Sequence, residues 1–120
     1  MRALRWVLLL APLVVFAQTH TSPLAGTWYP GDAPALQKLL DQSFAAAEKR
    51  TGGPPQRKGL RGLVVPHAGI VYSGTVAAAA YRLLDRPKNV IVLGFSHRRQ
   101  LKGVVCPDVD EYITPLGSVK

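Results

Sequence analysis

Two histidines are the residues of this chain best suited to chemistry. His67 follows an apolar run at residues 62–65, and His97 follows a second apolar run that includes residues 90–93. Neutral imidazole is a common ligand of iron, copper and zinc. Histidine also serves as a general base, because it ordinarily titrates near pH 6.5, and His97 is the candidate for that role. The first hypothesis is a shared metal site of His67 and His97.

A strand–helix–strand order would place both histidines at one edge of a sheet. We predict strands at residues 60–65 and 90–93, joined by a helix over residues 74–84 with Ser73 as its N-cap. Such crossovers are right-handed and join parallel strands, whose carboxyl ends are where ligands bind. Adjacent strands lie about 4.8 Å apart, which lets two imidazoles reach one ion. The expected fold class is α/β, with a partial open sheet around a parallel βαβ core.

One further helix and two further strands are predicted outside this unit. Asp32 resembles an N-cap, and apolar residues at helical spacing predict an amphipathic helix over residues 33–50. The glycines and prolines that begin at Gly52 end this helix. Short apolar runs predict a third strand at residues 103–106 and a fourth at residues 110–114.

Cys106 is the only cysteine, so the chain forms no intramolecular disulfide. The fold must therefore be held by an apolar core. Because Cys106 lies in the predicted third strand, a buried and inert thiol is expected. A metal-bound thiolate is the alternative.

The N-terminus has the pattern of a secretory signal peptide. Arg2 and Arg5 precede an uncharged apolar stretch, residues 6–16, and Ala17 suits the cleavage position. The stretch is shorter than the roughly 20 residues that span a bilayer. We therefore expect cleavage of residues 1–17, export to the periplasm or the extracellular space, and no stable membrane span afterwards. An uncleaved anchor is the alternative.

Basic residues outnumber acidic ones, with a formal net charge of +8. Aromatic residues do not interleave with the basic clusters, so nucleic-acid binding is not expected. A solvated basic surface is the simpler interpretation. Arg98 and Arg99 directly follow His97, however, and offer a site for an anion. A non-catalytic module that binds an anionic ligand or peptide is therefore the rival function.

Four motifs in this order resemble the Memo family, whose bacterial members are also called AmmeMemoRadiSam system protein B. The motifs are Ala25-Gly26-Thr27-Trp28-Tyr29-Pro30, Val65-Pro66-His67-Ala68-Gly69 with Tyr72-Ser73-Gly74, Leu93-Gly94-Phe95-Ser96-His97, and Thr114-Pro115-Leu116-Gly117. The resemblance covers residues 24–120 and only the N-terminal part of the family's domain. It implies that residues 18–120 are a truncated Memo-like α/β domain with a bare sheet edge. An inactive fragment is therefore the third interpretation, beside a metal-binding protein and an anion-binding module.

The resemblance also implies a fold and a metal. The family's fold is similar to that of class III extradiol dioxygenases, which hold non-haem iron, and its members have been linked to iron or copper and to redox chemistry. His67 and His97 match positions of metal ligands, and the implied activity is redox or dioxygenase-type. The resemblance implies that the family's further site residues lie beyond Lys120. Within the chain, Asp108, Asp110 or Glu111 is the candidate third ligand of a two-histidine, one-carboxylate site, and a solvated carboxylate is the alternative for each of them.

Overall fold

The computed structural model describes residues 17–53 and 59–120. They form two helices and three short strands in a small α/β fold. The elements in chain order are β1 (Thr19–Thr21), α1 (Ala33–Thr51), α2 (Ile70–Tyr81), β2 (Glu111–Thr114) and β3 (Gly117–Val119). No helix in the described ranges is long and apolar enough to cross a membrane. The predicted signal peptide, residues 1–17, lies outside those ranges except for Ala17.

Helix α1 confirms the helix predicted over residues 33–50. A carboxylate oxygen of Asp32 accepts a hydrogen bond from the backbone N–H of Ala35 at 2.9 Å, which is the N-cap bond that the sequence predicted. At the other end, the backbone N–H of Gly52 donates to the carbonyl oxygen of Glu48 at 2.9 Å. Both ends of this helix are therefore fixed by local groups.

Helix α2 begins at Ile70, four residues before the predicted start at Gly74, and Gly69 is its N-cap. The prediction of Ser73 as the cap is wrong, because Ser73 lies inside the helix and is buried. Its hydroxyl donates to the carbonyl oxygen of Ala68 at 2.9 Å. The spacing of apolar residues did not predict this first turn as helical, because apolar side chains of the turn face solvent. Val71, for example, is 73% exposed.

The two helices pack against each other through small side chains. Ala47 of α1 and Ala78 of α2 are buried, and Ser43 of α1 lies against Gly74 of α2. An alanine run such as residues 77–80 also suits close packing on a sheet, but the structure places this helix on α1. The small side chains allow the two backbones to approach closely.

The sheet is mixed, with the order β1-β2-β3. Strand β2 confirms the fourth predicted strand, and it pairs in parallel with β1, where Thr19 is the register partner of Glu111. It pairs antiparallel with β3. Gln18 anchors the start of β1, because its backbone N–H donates to a carboxylate oxygen of Asp110 at 2.8 Å. The sheet therefore joins the two ends of the described chain.

The predicted parallel βαβ core does not form. Residues 60–65, 90–93 and 103–106 are all described, and none of them is a strand. In the first run Leu60, Leu63 and Val65 are half-buried, and the apolar side chains of the other two runs are exposed, with Ile91 86% exposed. A β-branched run favours extended backbone, but a strand also needs a neighbour to hydrogen-bond with, and these runs have none among the described residues. Cys106 is consequently exposed, so the prediction of a buried thiol is wrong.

Candidate functional site

The structure brings the two predicted site residues, His67 and His97, together. Their Nε2 atoms lie 3.2 Å apart although the residues are 30 positions apart in the chain. The ring centroids are separated by 5.3 Å, and both side chains are exposed. The pair is therefore an open surface site whose two ring nitrogens point at each other.

This separation suits two arrangements. Two nitrogen ligands, each about 2.1 Å from one ion and 3.2 Å from each other, subtend about 100° at that ion. That angle lies between those of octahedral and tetrahedral coordination, so the imidazoles fit as neighbouring ligands. The same distance also suits a hydrogen bond in which the Nε2–H of one neutral imidazole donates to the Nε2 of the other. A metal would replace that hydrogen bond.

Residues 66–69, the His67 loop, lead into α2 and are held in place by its first turn. His67 lies three residues before this helix, and the hydroxyl of Ser73 reaches back to the carbonyl oxygen of Ala68. A Cβ atom at Gly69 would lie 3.2 Å from the carbonyl oxygen of Trp28, so the backbone approaches closely here. A larger residue at position 69 would push the His67 loop away from its support.

The support for that loop is the segment at residues 24–29, whose structural role the sequence analysis missed. The backbone N–H of Trp28 donates to the carbonyl oxygen of Leu24 at 2.9 Å, and that of Gly26 donates to the carbonyl oxygen of Tyr29 at 2.8 Å. These turns present the Trp28 carbonyl to Gly69. The segment contains no periodic apolar pattern, so only its turn-type residues signalled order.

His97 is positioned by a different interaction, a hydrogen bond between its neighbours in the chain. Its neighbour Ser96 accepts a hydrogen bond at the side-chain oxygen from the backbone N–H of Arg99, at 3.0 Å. This bond closes a turn around His97, and Arg98 and Arg99, both exposed, follow His97 directly in the chain. Two positive charges therefore stand next to His97 in the sequence.

Phe95 also belongs to the site, and the sequence analysis missed its role. Its ring centroid lies 5.2 Å from that of His67 and 4.3 Å from that of His97. The sequence could have indicated that Phe95 lies near His97, because residues two positions apart in an extended chain point to the same side. Phe95 and His97 have that spacing.

None of the predicted third ligands joins the pair. Asp110 is engaged with Gln18, and Glu111 opens strand β2. Within residues 17–53 and 59–120, no group of three or more histidine, cysteine, aspartate or glutamate side chains is arranged to hold one metal ion. A hollow between α1 and α2 contains neither histidine. The described residues thus bring together two candidate ligands and no third.

Comparison with known proteins identifies the family. The family described as "Memo-like protein" matches residues 20–120. A MEMO1 family protein of Ignicoccus hospitalis is 38% identical over 104 residues, which are 81% of this chain and 36% of that protein. The corresponding values are 34% over 97 residues for a MEMO1 family protein of Aquifex aeolicus, covering 81% of this chain and 34% of that protein. No solved structure matches the chain.

The chain spans about a third of the length of these curated relatives. The match nevertheless extends over both histidine segments and both helices. The sequence resemblance to the family, which rested on four short motifs, is thereby confirmed over nearly all of the described residues. The chain belongs to the Memo family.

Proposed function

We propose that this chain binds iron or copper through the Nε2 atoms of His67 and His97, as part of the metal centre of a Memo family protein. The observation that carries the proposal is the 3.2 Å separation of the two nitrogens. The hydrogen bond that the same distance allows stabilises little between two exposed side chains, whereas shared ligation would account for the meeting of segments 30 residues apart. The ion itself would supply redox chemistry of the dioxygenase type.

The residues around the pair would have separate tasks in such a centre. His67 and His97 hold the ion, and His97 is alternatively a base that accepts a proton at Nε2 from a bound substrate. Arg98 and Arg99 attract an anionic molecule to the site, since both are exposed beside His97. The coordination positions that the two histidines leave free are where such a molecule would bind.

The proposal extends to the fold of the longer family domain, which we infer to be similar to that of class III extradiol dioxygenases. Residues 90–93 are exposed, apolar and rich in β-branched side chains, with Ile91 and Val92 each 86% exposed. Such a run is suited to a buried parallel strand once neighbouring strands are available. The relatives are about three times as long as the matched segment, which leaves room for them.

The test is an anaerobic calorimetric titration of the purified chain with Fe²⁺, repeated with Cu²⁺ in air. We expect one ion per chain and complete reversal by a chelator. The rival function, capture of an anionic ligand at Arg98 and Arg99, predicts instead that phosphate binds, that salt weakens its binding and that a chelator has no effect. Absence of metal binding together with salt-sensitive phosphate binding would refute the metal proposal.

We also propose that the protein is exported after cleavage between Ala17 and Gln18. In support, Gln18 is held by Asp110 through its own backbone nitrogen, so the chain is anchored immediately after the proposed cleavage site. The expected result is that protein recovered outside the cytoplasm begins at Gln18, measured by intact mass. In the matched variant Ala17→Arg, a large charged residue occupies the cleavage position, and the leader should be retained. Exported protein that still carries residues 1–17 would contradict the proposal.

A further inference from the structure

Three aromatic rings meet at the histidine pair, and the third is Phe95. The Phe95 ring lies edge-on to His67, with an interplanar angle of 80° and a centroid distance of 5.2 Å. It is tilted by 44° against His97 at 4.3 Å. Ring pairs in these ranges attract each other through their quadrupoles as well as through apolar contact.

We propose that Phe95 is a positioning residue that holds the two imidazoles in the orientation in which their Nε2 atoms converge. This inference rests on the proposed function, because convergence matters only if a ligand is shared. Phe95 touches no reacting atom in this role. It acts through the two rings that it contacts.

The need for such a residue follows from where the histidines lie. Neither is in a helix or a strand, both are exposed, and they belong to segments 30 residues apart. The bonds that order the loops, from Ser73 to Ala68 and from Arg99 to Ser96, fix backbone and leave the imidazole torsions free. Without a further contact, each ring must lose its rotational freedom when an ion binds.

Phe95 supplies that contact to both rings at once. Its own position follows from the chain, since it precedes His97 by only two residues. Among the described residues, it is the aromatic side chain packed against both His67 and His97. Because one rigid ring contacts two others, the orientations of the two imidazoles are coupled through it.

The first experiment records the imidazole proton shifts of the metal-free chain by NMR. In the unsubstituted protein, the ring current of Phe95 should displace the proton resonances of His67 and His97. Phe95→Leu keeps an apolar side chain and removes the ring current, so the imidazole proton resonances of both histidines should move toward their ordinary values. Phe95→Tyr keeps an aromatic ring and should retain the displacement. Leu101→Ala, an exposed apolar control, should leave it unchanged. Unchanged imidazole shifts in Phe95→Leu would overturn the proposal.

The second experiment measures Cu²⁺ affinity in the same variants. Phe95→Leu should weaken binding on the order of fivefold, the effect of losing aromatic pair contacts, and Phe95→Tyr should restore it. A shifted NMR spectrum with unaltered affinity would show that Phe95 packs on the rings without positioning them, which overturns the proposal. If the unsubstituted chain binds no metal, the proposed function fails. Whether Phe95 orients the imidazoles is then decided by NMR cross-relaxation between the ring protons of His67 and His97, which Phe95→Leu should weaken and Phe95→Tyr should retain.

Discussion

His67→Ala is expected to lower the affinity of the chain for Fe²⁺ or Cu²⁺ at least about 100-fold, and His97→Ala should do the same. Loss of a group that merely orients a metal ligand costs about 10- to 100-fold in affinity, so loss of one of two ligands should cost no less. Calorimetric titration of each variant under the conditions used for the unsubstituted chain gives the comparison.

The chain contains its own matched control in His20, its third histidine. His20 lies in β1, where its ring packs edge-on against Tyr112 at a centroid distance of 5.5 Å. His20→Ala makes the same chemical change outside the pair, so Fe²⁺ affinity should be preserved. Equal losses in His20→Ala and His67→Ala would point to nonspecific binding by surface imidazoles and would refute the shared site.

The double variant of His67 and His97 adds a sharper criterion. If both nitrogens hold one ion, the second substitution removes little beyond the first, because a single remaining imidazole binds weakly. The two losses should therefore be far from additive, as is found for groups that act as one unit. Strictly additive losses would indicate two independent weak sites.

The features that could be predicted from the sequence are mostly those that depend on interactions between residues close together in the chain. The N-cap at Asp32 and the glycine after α1 are interactions within a few residues, and the helix was predicted to within one residue at its C-terminal end. Helix α2 shows the limit, because its true cap, Gly69, makes no side-chain hydrogen bond and its first turn exposes apolar residues. A helix start without a capping side chain leaves little trace in the sequence.

Strands depend on partners that lie far away in the chain, and here the prediction failed. The run at residues 90–93 has a strong strand pattern but no neighbouring strand among the residues that the structure describes. Thr19–Thr21 is weakly patterned and forms β1 because Glu111–Thr114 lies beside it. Even so, the two histidines were predicted to meet, and they do. The reason given, two adjacent parallel strands, is not the one that the structure shows.

The sequence could also not reveal what surrounds the pair. Phe95 is a single exposed aromatic residue, and its contact with His67 joins two segments that no local pattern connects. The same holds for the Trp28 carbonyl against Gly69. Long-range supports of this kind are visible only once the fold is known.

Gly74→Ala is expected to destabilise the chain although alanine is the better helix former. A Cβ atom at position 74 would lie 2.8 Å from the Ser43 hydroxyl oxygen and 2.9 Å from a methyl carbon of Ile70, both closer than real Cβ contacts. Overpacking costs about 1–3 kcal/mol, and the helix propensity of alanine returns about 1 kcal/mol. A net loss of up to about 2 kcal/mol in the free energy of unfolding should follow, measured by urea denaturation.

Two further variants separate the clash from other causes. Gly62→Ala adds a methyl group where nothing lies within 4 Å, so it should leave stability nearly unchanged. Ser43→Gly removes the hydroxyl that the new methyl group meets, so Gly74→Ala should cost less stability in the Ser43→Gly background than in the unsubstituted chain. The Ser43 hydroxyl donates only within its own helix, to the carbonyl oxygen of Leu39 at 2.9 Å, so its loss leaves no partner in α2 unpaired.

Gly74→Ala should also change the position of His67 relative to His97. The first turn of α2 holds the His67 loop through Ser73, which is adjacent to Gly74, so a shift of α2 away from α1 moves His67 relative to His97. Metal affinity should therefore fall in Gly74→Ala and recover in the combination with Ser43→Gly. A Gly74→Ala variant that is at least as stable as the unsubstituted chain would show that the two helices tolerate a wider separation, and the coupling between helix packing and the site would be disproved.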